Sequence, residues 1–91
     1  MITLEEVIKY IIETNLYHDT NMDTQTAVAY TIQDAEIELC SAKHVLTELP
    51  TNHNYAISVI DSMFIYMLDN NQQIEEAISN HINLLKLGKI L

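Results

Sequence analysis

Cys40 and His44 stand four residues apart, and Glu36 and Glu48 extend the row by four in each direction. On a helix that spacing brings side chains to neighbouring positions. Thiolate, imidazole and carboxylate are all zinc ligands, and a thiol beside an imidazole is also the starting pair for nucleophilic catalysis. Neither chemistry is completed. There is no second cysteine and no HExxH arrangement to close a tetrahedral site. The thiol sits mid-helix among negative neighbours, away from the positive surroundings that favour a thiolate. Glu5–Glu6 and Glu75–Glu76 are adjacent pairs and point about 100° apart on a helix, as solvated faces do. No glycine-rich loop is present to cradle phosphate. His18 and His53 fall in polar connectors and His81 in a helical seam, where histidines serve as caps, surface groups or satisfied boundary residues. The chain is therefore expected to be no enzyme, with no catalytic residue, no cofactor and no metal ligand.

Composition narrows the partners. Net charge is −9, from 13 acidic residues against four lysines, with no arginine. Arginine supplies the bidentate fork for phosphate and guanine, and phosphate contacts dominate nucleic-acid affinity. Lys9, Lys43, Lys86 and Lys89 are too scattered to make a basic stripe, so direct nucleic-acid binding is not expected. The acidity suits a basic protein partner, or simply solubility. The lone Cys40 and an N-terminus without a basic leader predict a reducing, cytoplasmic setting. The apolar run 55–68 contains Asp61 and falls short of the ~20 residues of a membrane span.

The elements follow from spacing. Thr3 and Glu6 form a capping-box pattern, and Leu4, Val7, Ile8, Ile11, Ile12 and Leu16 make a one-faced helix over 4–15. A polar connector with candidate caps Thr20, Asp23 and Thr24 leads into a helix over 24–49, stopped by Pro50. Its seam is Val28, Ile32, Ala35, Leu39, Ala42, Leu46 and Leu49, a heptad pattern that predicts knobs-into-holes packing. The small Ala35 and Ala42 should admit a close neighbour. A third helix is predicted over 55–87, with seam residues Ile57, Ile60, Phe64, Met67, Asn71, Ile74, Ile78, His81 and Leu85. Its phase survives the polar waist at Asn70–Asn71, which favours one bent helix over two. Gly88 is the expected C-terminal cap, with Lys86 and Lys89 complementing the helix dipole. The expected fold is all-α: a single-domain bundle (1–91) of three helices, or four if the third breaks near 70–71, with coiled-coil-like packing of the two long helices.

The third helix is apolar on several sides. The second helix covers its seam, and the short first helix covers one flank along half its length. Apolar surface is left over, including a second face of the middle helix at Tyr30, Ile37 and His44. Tyr30, Ile37, His44, Val59, Met63 and Tyr66 are the candidate interaction residues, and a homodimer is expected. Asn71 in a seam position would either fix register or mark a solvated kink. The leading functional expectation is a non-enzymatic protein–protein interaction module. It would be a small acidic inhibitor, of a phage anti-defence or immunity type, that blocks a basic surface of its partner. The alternatives are a small-ligand sponge with an inter-subunit pocket and a purely structural scaffold.

Overall fold

The Thr3 hydroxyl accepts a hydrogen bond from the Glu6 amide at 3.2 Å. It thereby satisfies one of the amides that a helix start leaves without an internal partner. This opens α1 (Leu4–Asn15). Asp23, rather than Thr24, caps α2 (Thr24–Glu48), accepting from the Thr26 amide at 3.1 Å. Leu49, ahead of Pro50, takes an extended ψ of 147°, as residues before proline prefer, and α2 ends there. These features are those of a computed structural model that describes residues 1–17, 19 and 21–88. His18, Thr20 and Lys89, each given a role above, lie outside the described residues, which are all-helical with four helices and no strand.

The long helix expected over 55–87 is two, α3 (Asn54–Asp69) and α4 (Asn71–Lys86), parted at Asn70. Asn70 has φ −124° and ψ 30°, outside the helical region. Its amide still donates to the Tyr66 carbonyl at 2.9 Å, and its carbonyl still accepts from the Ile74 amide at 3.0 Å. Its side-chain amide donates to the same Tyr66 oxygen at 3.2 Å. Four-residue bonding thus spans the break, which is why the apolar phase passes through it. Asn71 is exposed and donates to Glu75 at 3.0 Å. A register-fixing asparagine would be buried; this one belongs to a solvated bend.

Two polar pairs define how the helices run. Lys43 Nζ meets Asp61 Oδ1 at 2.6 Å, and Thr24 Oγ1 donates to Asn83 Oδ1 at 3.0 Å. The pairs are 19 positions apart on α2 and 22 on α3–α4, so α3 and α4 lie antiparallel along α2 as one bent arm. Lys86 fastens the far end, donating to the Met22 carbonyl at 2.7 Å and to Thr24 Oγ1 at 3.2 Å. The Tyr10 hydroxyl reaches along α1 to Thr14, Asn15 and Glu38, while Glu5, Ile8 and Ile12 border His81 near the end of α4. α1 therefore runs in the same direction as α2. Just past α1, the Tyr17 amide donates to Thr31 Oγ1 at 3.0 Å, about two turns into α2.

The extents are 47 × 21 × 20 Å, and buried residues run along α3 and α4 from Ile60 to Ile82 but along α2 only from Ala27 to Leu39. Val7 and Ile11 pack with Ala27, Thr31, Ala35, Ile74 and Ile78, all closed to solvent or nearly so. On α2 burial stops at Leu39. The heptad row continues through Ala42, Leu46 and Leu49, yet Ala42 and Leu49 are exposed and Leu46 is half-buried. Of the two small seam residues, Ala35 is buried and Ala42 is exposed. The molecule is three helices thick at one end and two at the other. Gly88, with φ 73° and its amide on the Leu85 carbonyl at 3.0 Å, closes α4 in the left-handed conformation that glycine accepts without strain.

Candidate functional site

The chemistry-bearing row on α2 does not converge. Glu36, Cys40, His44 and Glu48 are all exposed. Each four-residue step turns the helix by about 40° beyond a full circle, so the ends of the row point about 120° apart. Among the described residues no group of three or more His, Cys, Asp or Glu is placed to hold a metal ion. Nor is any helix there long and apolar enough to cross a membrane.

The six expected interaction residues occupy two sides of the bundle. Tyr30, Ile37 and His44 are exposed and follow one another at seven-residue intervals on the α2 face turned away from its buried row. The Tyr30 ring lies 5.6 Å from that of Tyr17, so its exposure of 42 % belongs to an aromatic pair at the surface. Val59 and Tyr66 are half-buried and pack against the core. Met63 is buried at 7 % exposure and acts as core. Val59, Met63 and Tyr66 thus belong to the packed side of α3, whereas Tyr30, Ile37 and His44 lie on the exposed face of α2.

Two surface features take their place. The first is the end of the α2–α3 hairpin beyond α1. Thr31, Glu38 and Val45 recur every seven residues and share a face of α2. Thr31 meets the connector and Glu38 meets Tyr10 of α1, but Val45 is 56 % exposed. Leu49 at 44 % and, at the start of α3, Tyr55 at 82 % are exposed at the same end of the hairpin. Periodicity alone misses this feature, because Leu49 fits the apolar seam and Val45 and Tyr55 fall outside the seams. The signal is the mismatch between a short α1 and its long neighbours.

The second feature is a furrow between α2 and the arm. An apolar recess of about 310 Å³ opens at the bend, with Ile32, Phe64 and Leu68 among its walls. It adjoins a more polar one of about 500 Å³ between the start of α2 and α4. Glu36 borders the first and Glu75 and Glu76 the second, with no lysine in either lining.

Charge is partitioned between the two ends. Residues 40–62 carry Lys43, Glu48 and Asp61, a net −1, and Lys43 and Asp61 are paired. The remaining −8 lies in the rest of the chain. Two groups titrate away from their usual ranges. Asp23 is held low, first by the Thr26 hydroxyl and then by the Thr26 amide. Tyr10 is raised, first by burial and then by its hydrogen bond to the Glu38 carboxylate. Comparison with protein-family models, curated proteins and solved structures finds no match.

Proposed function

We propose that this chain is a non-catalytic protein-binding module whose acidic body blocks a basic surface of a partner protein. The observation that carries the reading is the furrow between α2 and the arm, where Glu36, Glu75 and Glu76 line adjoining recesses without a lysine. A surface of one sign steers association with its opposite and rejects like-charged partners. In this reading the heptad row of α2 packs knobs-into-holes on the arm from Val28 to Leu39 and makes a stiff platform for those carboxylates. The module works in a reducing cytoplasm as an inhibitor of the anti-defence or immunity type, covering a basic channel on its target. Its carboxylates wind around several helices, which favours covering a surface over imitating a phosphate row.

The test is cross-linking of the tagged chain in its native cell, with the captured protein then purified for direct titration. The triple variant E36K/E75K/E76K, shown by circular dichroism to stay folded, should lose at least about tenfold in affinity for that protein. Binding of the wild type should weaken as salt rises. A partner bound equally well by the triple variant and indifferent to salt would overturn the reading.

A further inference from the structure

We infer that the α1-free end of the α2–α3 hairpin is the docking surface for a second copy of this chain. The inference stands independently of the partner-blocking reading, which concerns the acidic body.

Three observations select a second copy. The first is the unfinished core. Ala42, Leu46 and Leu49 keep the heptad row of α2 going after its burial has stopped at Leu39, with Val45 exposed beside them and Tyr55 exposed at the start of α3. The missing layer is helical by geometry, since the adjoining layer on the same face is α1. A hairpin end from a second chain supplies two helices at once.

The second is charge. Two chains of −9 repel, and they meet at least cost where each is nearly neutral. Residues 40–62 hold −1 of the total, and their lysine is already paired with Asp61. A basic partner would find little to attract it there, whereas a second acidic chain finds little to repel it. Apposed end to end, the two hairpins keep both acidic bodies pointing away from each other.

The third is size. A stable interface covers about 800 Å² per partner and takes about 20–30 residues a side, a modest share of this chain's 6151 Å². Apart from the buried Ile60, the residues of 40–62 are exposed or half-buried, and those on the Val45 side are the part a second chain covers. Two-fold pairing makes the patch its own complement.

Sedimentation equilibrium tests this across a wide concentration range. The expected result is a mass moving from 10.4 kDa towards twice that value as concentration rises. Association should strengthen with added salt, because the acidic bodies are then screened. V45E and Y55E change exposed positions and leave the monomer folded by circular dichroism. Each should raise the dimer dissociation constant at least about tenfold, since the new carboxylate is buried unpaired at the interface. I37E, on the outer face of α2, should leave it unchanged. A monomer at every concentration would overturn the inference. So would a dimer that I37E disrupts while V45E and Y55E do not, or one that salt dissolves.

Discussion

The backbone amide of Tyr17 donates to the hydroxyl of Thr31, a side chain with no solvent exposure, at 3.0 Å. The same hydroxyl donates to the Ala27 carbonyl at 2.8 Å. One buried oxygen thus ties the chain just past α1 to α2. Thr31→Val keeps the shape but leaves the Tyr17 amide without its acceptor. It should cost about 1–3 kcal/mol in urea unfolding, whereas Thr31→Ser should retain both bonds and lose about 1 kcal/mol or less of packing. A larger loss in Thr31→Ser than in Thr31→Val would show that the methyl, not the hydroxyl, carries the contribution.

Asp23 caps α2, and its carboxyl titrates below the ordinary aspartate range because Thr26 donates to it from both side chain and backbone. A depressed native pKa makes the unfolded chain the better proton binder. The stabilisation is therefore complete above the unfolded value and fades as pH falls through the native one. Asp23→Asn keeps a capping oxygen without the charge. Thermal melts from neutral to acid pH should show a shallower acid loss in this variant than in the wild type. Superimposable acid limbs would rule this contribution out.

Tyr10 behaves in the opposite sense. Burial, with the bond to Glu38, raises its native pKa above the usual phenol value of 10.0. Its contribution is present below that value and lost as pH rises through the native pKa. Tyr10→Phe should lose about 0.5–1.5 kcal/mol near neutral pH and should flatten the alkaline decline. A variant declining as steeply as the wild type above pH 10 would contradict the Tyr10–Glu38 contact.

Lys43 and Asp61 meet at 2.6 Å with side chains 41 % and 48 % exposed. Exposed ion pairs contribute about 0–1 kcal/mol, so the pair aligns α2 with α3 more than it stabilises them. A double-mutant cycle on K43M and D61N should give a coupling below about 1 kcal/mol, reduced by salt. A salt-insensitive coupling of several kcal/mol would mean that the hairpin end is less solvated than its exposure indicates.

Much of this architecture is legible in the residues. Thr3 and Asp23 begin α1 and α2, Pro50 ends α2 and Gly88 closes α4, each for a local steric or hydrogen-bonding reason. The break at Asn70 is not legible in the apolar spacing, because its amide and carbonyl keep their four-residue partners while its dihedrals leave the helix. Whether α1 runs with or against α2 is set by tertiary neighbours, Tyr10 with Glu38 and the α1 face with His81, which spacing along the chain does not reveal. Spacing assigns Leu39 and Leu49 to one seam. Only the length of α1 in three dimensions separates the buried residue from the exposed one.

The central claim is that the hairpin end beyond α1 is an incomplete core that a second chain completes. Amide hydrogen exchange at low and high protein concentration tests it most directly, because local opening is suppressed where an interface forms. The account predicts slower exchange at high concentration in residues 42–49 and 54–61, with residues 27–39 unchanged. Concentration-independent exchange in the hairpin end, or slowing confined to the Tyr30–Ile37 face of α2, would contradict it.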